Sequence, residues 1–156
     1  MTGYRMVENQ KKRLGELLFE YGVITQKELK KALIEQKIRN KRVGEVIIEL
    51  NLATQDQINW VLSKQLDIPY VQIETTQLDL ELLKEFPRNL IKNYNLIPLI
   101  KINNTLAIAM SDPTDEEAIQ KIKSFYKNNI ELSLASFQNI FEMIMYIEKE
   151  VPLTKY

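Results

Sequence analysis

Two stretches of the chain carry the same pattern of apolar and polar positions, 29 residues apart. The first is RLGELLFEYGVITQKELKKALIEQ at 13–36, and the second is RVGEVIIELNLATQDQINWVLSKQ at 42–65. The two copies have the same residue at eight positions and exchange one aliphatic side chain for another at most other apolar positions. The first part of the chain is therefore an internal repeat.

Each copy is typical of a helix, a tight turn and a second helix. Gly22 and Asn51 stand where the first helix would end, and both residue types tolerate a left-handed backbone. Thr25 and Thr54 follow as N-caps, and a Glu or Gln three residues later completes a capping box in each copy. Apolar residues spaced by three and four mark one face of each second helix. The repeats therefore predict four short helices in two related pairs.

After Gln65 the pattern changes to mixed helices and strands. DIPYVQI predicts an extended segment, and LDLELLKEFPRNLIKNYN predicts a helix interrupted at Pro87. LIPLIKI and TLAIAM predict a β-hairpin that turns at Asn103 and Asn104. IELSLAS predicts a further strand, and residues 137–149 predict a closing helix.

The segment SDPTDEEAIQKIKSFY predicts another helix. We expect Ser111 or Asp112 to be its cap and Pro113 to be its first residue, with acidic residues in its first turn. The fold class predicted for the whole chain is α+β. A helical subdomain over 1–66, with repeats at 13–36 and 42–65, precedes an α+β subdomain over 67–156 with a short, mainly antiparallel sheet.

Composition excludes several kinds of site. The chain has neither Cys nor His, which removes disulfides, thiolate chemistry and the Ser-His and Cys-His nucleophile pairs. All four glycines precede residue 45, so the α+β part has no glycine-rich phosphate loop. We expect no catalytic residue, no metal site and no cofactor.

Charge is distributed unevenly along a chain whose formal net charge is +0. Residues 1–65 hold 12 Lys and Arg against 8 Asp and Glu, whereas residues 66–156 hold 9 against 13. This asymmetry suits an anionic ligand on the first part, although a solvated basic face is the commoner explanation. The polar amino terminus lacks the apolar core of a signal peptide, and no apolar run reaches the length of a bilayer span. We expect a cytoplasmic protein without membrane insertion.

The repeated Arg and Gln are the candidate binding residues. Arg13 and Arg42 open the two copies, and Gln36 and Gln65 close them. A guanidinium can stack on a base and bond to its acceptor edge, and a Gln amide offers both a donor and an acceptor. A glycine two residues after each arginine would let a flat ligand or a neighbouring backbone approach. Repeated helix packing, with solvated arginines and glutamines, explains the same spacing.

The doubled pattern resembles the MshE-type N-terminal domain of type II secretion and type IV pilus assembly ATPases, a family that binds cyclic di-GMP. The family motif is Arg-Leu-Gly, spaced aliphatics and Leu-x-x-x-Leu-x-x-Gln, written twice with a five-residue spacer. Here the motif spans residues 13–36 and 42–65 with the spacer KIRNK, and IPYV, LIPL and TLAIAMSDPTD resemble the family's second half. The second copy departs by having Val43 and Ile58 where Leu is usual, and Asn51 where Gly is usual.

The resemblance implies a ligand with two guanines, two phosphates and an approximate two-fold axis, bound by two repeats with the same symmetry. It assigns contacts with guanines and phosphates to Arg13, Gln36, Arg42 and Gln65. Asp112 would reach a guanine from the second half, although the same residue serves equally well as a helix cap. The other implied ligand-binding residues either line an apolar floor under the ligand or, as glycines, let the ligand come close to the backbone. They are Leu14, Gly15, Leu29, Leu33, Val43, Gly44, Ile58 and Leu62.

These observations favour a non-catalytic receptor for cyclic di-GMP that regulates a secretion or pilus ATPase or a platform component. The chain fits either a free-standing sensor or part of a longer ATPase. An alternative is a docking module of the same systems that binds no nucleotide. Nucleic-acid binding through KIRNKR at 37–42 is disfavoured by the neutral net charge, so we expect no nucleic-acid partner.

Overall fold

A computed structural model of the chain describes residues 13–152, and residues 1–12 and 153–156 lie outside the described part. The polar amino-terminal stretch without a signal peptide falls almost entirely outside it. The chain divides into two compact units between Asp67 and Ile68. We call residues 13–67 the helical unit and residues 68–152 the α+β unit. Among the described residues, no helix has both the length and the apolar character that a bilayer span requires.

Four helices form the helical unit, two from each copy of the repeat. They are α1 (Leu14–Glu20), α2 (Gln26–Arg39), α3 (Val43–Glu49) and α4 (Gln55–Leu66). The turn within each copy contains the predicted left-handed residue, with φ of 72° at Gly22 and 55° at Asn51. These residues let the chain reverse after a first helix of only seven residues.

The two predicted capping boxes are confirmed. Thr25 Oγ1 accepts a hydrogen bond from the Glu28 backbone at 3.2 Å, and the Glu28 carboxylate accepts one from the Thr25 backbone at 2.7 Å. Thr54 and Gln57 make the same pair of bonds at 3.2 Å and 2.9 Å. Two otherwise unpaired backbone donors are thus satisfied at the start of each second helix.

The helices pack mainly across the two copies rather than within them. α1 lies mainly on α4, α2 lies mainly on α3, and α1 also contacts α3. Exchanging the two copies maps the first of these contacts onto the second, as in a two-fold symmetric interface. The shared buried core comes from both copies and consists of Leu18, Ile24, Ala32, Val46, Ile47, Ile58 and Val61.

The α+β unit follows, with a 3₁₀ turn at Thr75–Gln77 before its first helix. Its elements are α5 (Leu80–Glu85), α6 (Arg88–Tyr94), β1 (Leu96–Ile102), β2 (Thr105–Met110), α7 (Glu116–Phe125), β3 (Asn129–Leu134) and α8 (Phe137–Glu150). The helix break at Pro87 and the hairpin turn are as predicted, and Asn103 takes a positive φ of 53°. The α+β class is confirmed.

The sheet is mixed rather than mainly antiparallel. Its strand order is β1-β2-β3. β1 pairs antiparallel with β2, whereas β2 pairs parallel with β3 along all six residues of each strand. The helix α7 lies between β2 and β3 in the sequence, and such a crossover lets the second strand run in the same direction as the first. The segment around Tyr70 makes a single parallel bridge to Leu134 at the end of β3.

The predicted start of α7 is wrong. The helix begins at Glu116, and Asp115 caps it by accepting a hydrogen bond from the Ala118 backbone at 3.0 Å. Asp112 instead accepts from the Thr114 backbone at 3.1 Å, and the Ser111 hydroxyl is bonded to Asn95 at 3.0 Å. Asp112-Pro-Thr is therefore a turn before the helix, because a short aspartate side chain can close a turn as readily as a helix end.

α8 packs one face into the core of the α+β unit. Asn139, which is 3% exposed, accepts a hydrogen bond from the Ile73 backbone at 2.8 Å and donates one to the Ile73 carbonyl at 2.9 Å. This buried amide fixes the extended segment before α5 to the closing helix. The outer face of α8 remains exposed at Phe137, Phe141 and Met145.

Candidate functional site

The contact between α1 and α3 is reciprocal around two glycines. A Cβ atom on Gly15 would lie 2.7 Å from Leu29 Cδ1 and 3.9 Å from Val43 Cγ2. A Cβ atom on Gly44 would lie 3.3 Å from Leu14 Cδ2 and 3.9 Å from an Ile58 methyl. The same repeat positions meet in both directions, so an approximate two-fold axis passes close to this contact.

The space beside each glycine is taken by apolar side chains of the helical unit itself. Leu29 fills it at Gly15, and Leu14 fills it at Gly44. Close packing of helices therefore explains both glycines without a ligand. The sequence allowed either a flat ligand or a neighbouring chain segment to approach these glycines. The geometry directly supports the neighbouring chain segment.

Arg13 and Arg42 occupy equivalent places at the starts of α1 and α3. Both are N-cap residues with extended backbone, at φ −67° and −70°. The backbone N–H of each donates to a carboxylate three residues later, Glu16 or Glu45, at 3.2 Å in both copies. Glu16 and Glu45 were missed as contributors to the site, although their identity in the two copies was the available signal.

Both arginine side chains are exposed, and within residues 13–152 neither guanidinium forms an ion pair. Arg39 differs, because its guanidinium lies 2.9 Å from Glu35 and 2.7 Å from Glu49. Each repeat thus presents one arginine whose charge is available to an anion. Each of these arginines also directly precedes a residue that crosses to the other copy, Leu14 or Val43.

The stretch 37–42 offers less positive charge than its sequence suggests. Lys41 and Arg39 both bond to Glu49. Hydrogen bonds from Lys41 and then from Arg39 hold the pKa of the Glu49 carboxyl below its ordinary value, and the pKa of Arg39 is raised mainly by its hydrogen bond to Glu49. This local pairing weakens the stretch as a nucleic-acid site.

The two glutamines lie near the ends of their helices. Gln36 is three residues before the last residue of α2, and Gln65 is one residue before the last residue of α4. Both side chains are half-buried. They therefore occupy the carboxyl ends of the second helices, whereas the two arginines occupy the amino ends of the first helices.

The predicted apolar floor is unequal in the two copies. Leu29 is half-buried, but its equivalent Ile58 is only 3% exposed and belongs to the core. Leu33 is 40% exposed, whereas its equivalent Leu62 is half-buried. The accessible apolar surface is therefore mainly that of the first copy, and the other predicted floor residues, Leu14 and Val43, are half-buried at the central contact.

Asp112 lies in the α+β unit and is exposed. Its Oδ1 atom accepts from both the backbone N–H and the hydroxyl of Thr114. No hydrogen bond from a described residue reaches Oδ2, so one carboxylate oxygen is available to a further donor. Among the described residues there is also no cluster of His, Cys, Asp or Glu side chains that could hold a metal ion.

An exposed aromatic group on the helical unit was not found from the sequence. Tyr21 and Trp60 meet edge to face with ring centroids 5.1 Å apart, and Lys64 Nζ lies 5.3 Å from the Trp60 ring. The equivalent of Trp60 in the first copy is Lys31, so the signal was a difference between the copies rather than an identity. The group joins Tyr21 of the first copy to Trp60 and Lys64 of the second, and it is a candidate contact surface that the equivalent positions, Leu50 and Lys31, do not reproduce.

Comparison with known proteins assigns the family. The MshEN domain family matches residues 66–150, which is more than half of the chain. The chain belongs to the MshEN domain family. The matched residues cover nearly all of the α+β unit but not the repeats. The predicted resemblance to an MshE-type N-terminal domain is confirmed.

Two further MshEN-related likenesses extend beyond the matched residues. A solved structure of MshE with cdg is 27% identical, with a TM-score of 0.75, and covers 86% of this chain and 98% of that chain. Because 86% of the chain exceeds either unit alone, this likeness includes part of the helical unit. The type IV pilus assembly ATPase PilB of Myxococcus xanthus is 29% identical over 139 residues, 88% of this chain. The chain spans only 25% of that relative's length.

A third likeness concerns the fold alone. A structure of the N-terminal domain of XpsE is 17% identical, with a TM-score of 0.58, and covers 85% of this MshEN chain and 92% of that one. The MshEN assignment therefore rests on the family match and on the two more similar relatives.

Proposed function

We propose that the helical unit binds cyclic di-GMP through its two arginines and that no reaction is catalysed there. The observation that carries the proposal is the reciprocal contact around Gly15 and Gly44, which brings the starts of α1 and α3 to a common two-fold axis. A ligand with two equivalent halves is matched by a surface with the same symmetry. The likeness to a structure of MshE with cdg, an abbreviation for cyclic di-GMP, supports this ligand.

The arginines supply the recognition of guanine or phosphate. Each guanidinium is exposed and has no ion-pair partner within residues 13–152, so it need not leave a carboxylate before it binds an anion. A guanidinium can donate two parallel bonds to a phosphate or to the O6 and N7 atoms of guanine. We assign this role to Arg13 and Arg42, one for each half of the ligand.

Gln36, Gln65 and the apolar side chains supply the remaining contacts in this proposal. A glutamine amide can both donate to and accept from a guanine edge. Leu14, Val43 and the exposed Leu33 offer apolar surface against which a base can lie. Ile58 would act from below, by supporting this surface rather than by touching the ligand, because it is buried.

Asp112 is the proposed reader of guanine from the α+β unit. A carboxylate can accept bonds from the N1 and N2 donors of guanine. Thr114 uses only Oδ1, so Oδ2 can accept such a bond while the turn before α7 stays intact. Binding of one ligand by both units would make their relative arrangement depend on cyclic di-GMP.

The regulated protein in this proposal is a secretion or pilus assembly ATPase. The chain spans a quarter of the length of the PilB relative, and that relative is a type IV pilus assembly ATPase. A ligand regulates such a partner only if it binds two arrangements with different affinities. We therefore propose a regulatory role whose output depends on how the two units are held.

Calorimetric titration of cyclic di-GMP into the purified chain tests the proposal. Arg13→Ala and Arg42→Ala should each weaken binding about 10- to 150-fold, because each removes a hydrogen bond to a charged group. The two losses should be similar, since the two arginines have equivalent positions. Arg39→Ala is the matched control, because this arginine of the same unit is already paired with Glu35 and Glu49.

Cyclic di-AMP and GTP serve as ligand controls in the same titration. Binding of cyclic di-GMP by both arginine variants with the affinity of the unmodified chain would remove these residues from the site. A complete absence of binding to the unmodified chain would instead favour a docking module without a nucleotide. The exposed apolar faces of α2 and α8 support that second function.

A further inference from the structure

The outward side of α2 combines two exposed isoleucines with four exposed lysines. Ile34 is 61% exposed and Ile38 is 72% exposed, and their spacing of four places them on one side of the helix. Within residues 13–152 none of the lysines on this side forms an ion pair. We call this surface the α2 outer face, and it consists of Lys27, Lys30, Lys31, Ile34, Lys37 and Ile38.

The acidic residues of α2 lie on other sides of the helix. At about 3.6 residues per turn, Glu28 and Glu35 are both more than a quarter turn away from Ile34. The Glu28 carboxylate is used in the capping box, and the Glu35 carboxylate pairs with Arg39 at 2.9 Å. The α2 outer face therefore has an apolar centre that is surrounded by positive charge alone.

The equivalent positions of the second copy carry no basic residue. They are occupied by Asp56, Asn59, Trp60, Ser63, Leu66 and Asp67. Both copies nevertheless form a second helix with the same capping box. Folding of the repeat therefore requires neither the lysines nor the isoleucines of α2. Exposed apolar side chains that folding does not require are a sign of a binding surface.

The composition of the α2 outer face favours a lipid surface over a protein partner. The cores of protein interfaces are rich in aromatic residues, Met and Arg and poor in Lys. The exposed row of α8, with Phe137, Phe141 and Met145, has that composition. The α2 outer face instead has lysines and aliphatic side chains without an aromatic ring. Helices that lie on anionic membranes combine a basic face with apolar side chains in this way.

We propose that the α2 outer face binds the surface of an anionic lipid bilayer, with α2 lying parallel to that surface. The lysine ammonium groups would pair with lipid phosphates, and their long stems would let Ile34 and Ile38 enter the headgroup region. A helix of 14 residues is too short to cross the bilayer, so the contact is peripheral. Leu29 and Gln36, which are assigned to cyclic di-GMP, lie on the opposite side of α2, so this proposal is independent of that ligand.

Cosedimentation of the full 156-residue chain with vesicles tests the proposal. One set of vesicles contains equal parts of phosphatidylcholine and phosphatidylglycerol, and the other contains phosphatidylcholine alone. We expect the chain to bind the anionic vesicles and to remain in solution with the neutral ones. The binding should weaken as salt is raised, because salt screens the lysine charges.

Removal of charge is tested with Lys27→Gln and Lys30→Gln in one chain. This variant should bind anionic vesicles about 25-fold more weakly, because each lysine close to an anionic surface contributes about fivefold. Arginine at the same two positions keeps the charge and should restore the binding. Lys121→Gln with Lys127→Gln is the matched control, since these lysines are exposed, have no ion-pair partner within residues 13–152 and lie in the α+β unit.

The apolar centre is tested with Ile34→Ser and Ile38→Ser in one chain. This variant should bind anionic vesicles at least about tenfold more weakly, because two side chains no longer enter the headgroup region. Ile100→Ser with Ile102→Ser is its control and should bind normally, since these exposed isoleucines belong to β1. Circular dichroism of every variant checks that its helix content is unchanged.

Two results would overturn the proposal outright. The unmodified chain could fail to bind anionic vesicles, which would leave the α2 outer face to an acidic protein, or it could bind both kinds of vesicle equally. Duplex DNA is titrated in a separate arm, because lysines also bind its phosphates. Lysine-dependent binding of DNA, together with vesicle binding that the two isoleucine substitutions do not change, would reassign the α2 outer face to nucleic acid.

Discussion

The two copies of the repeat share their inner contacts and differ on their outer sides. Both have an arginine as the N-cap of the first helix, a glycine packed against a residue of the other copy and a threonine capping box at the second helix. On the outer sides, Ile34 in the first copy is 61% exposed, whereas its equivalent Ser63 is 6% exposed. The duplication has therefore kept what joins the copies and changed what each copy presents to its surroundings.

Burial beneath the central contact also differs, with Ile58 in the core and its equivalent Leu29 only half-buried. At this position the second copy contributes mainly to the core of the helical unit. The first copy leaves part of its side chain accessible to a ligand or another protein. Substitutions made in pairs at equivalent positions can separate these two roles. The tryptophan Trp60, which is the only one in the chain, lies in α4 and reports on unfolding of the helical unit.

The largest difference is expected between Ile58→Ala and Leu29→Ala. Ile58→Ala should lower the free energy of unfolding by about 2–5 kcal/mol, because it leaves a cavity in the core. Leu29→Ala should cost clearly less, since its side chain is already partly in water. Urea unfolding followed by Trp60 fluorescence measures both, and equal losses would contradict the unequal burial of the two copies.

The capping threonines should behave alike. Thr25→Ala and Thr54→Ala should each lower the free energy of unfolding by about 1 kcal/mol, because each leaves a backbone N–H of the second helix unpaired. Thr25→Ser and Thr54→Ser keep the hydroxyl and should restore most of the loss. A cost at only one of the two positions would show that the two capping boxes do not stabilise their copies equally.

The two central glycines should differ by a smaller amount. Alanine gains helix propensity of up to about 1 kcal/mol at either position, but its Cβ would lie 2.7 Å from Leu29 at Gly15 and 3.3 Å from Leu14 at Gly44. Gly44→Ala should therefore be the more stable variant in urea unfolding. Repeating Gly15→Ala in the Leu29→Ala background should remove the difference, and its persistence would exclude Leu29 as the cause.

The smallest effect concerns Glu49, whose equivalent in the first copy is Glu20. Its pKa is lower in the folded chain, chiefly because of the hydrogen bond from Lys41. The folded state then binds fewer protons, so the stabilisation is present at neutral pH and is lost as pH falls through the folded-state pKa. Glu49→Gln should reduce stability slightly at pH 7, and this deficit should shrink in acid. A loss of stability that does not change with pH would mean that the altered side-chain packing, and not the lost carboxylate charge, causes it.

Local hydrogen-bonding patterns could be predicted well from the sequence. The turns at Gly22 and Asn51 and the boxes at Thr25 and Thr54 need only residues within four positions of one another. The start of α7 was missed because Asp112 and Asp115 are both capable caps. Only the bond of Asp112 to Thr114 distinguishes a turn from a helix start.

Contacts between distant segments were beyond the sequence pattern. The parallel pairing of β2 with β3 depends on where α7 carries the chain, and alternation of apolar residues is the same in parallel and antiparallel strands. Ile58 and Leu29 likewise occupy equivalent positions in the pattern, so their unequal burial could not be read from it. For the candidate site, the roles of Arg13, Arg42 and Asp112 in ligand binding stay predictions.

Because α1 packs on α4 and α2 packs on α3, one copy of the repeat cannot form the core of the helical unit alone. A peptide containing one copy would carry the helices but none of their main partners, and it would expose the side that the other copy normally shields. Two such peptides could, however, assemble into a homodimer with the interlocked arrangement of the intact unit. A fused dimer of this kind is free to let its two sides diverge, as Ile34 and Ser63 have done.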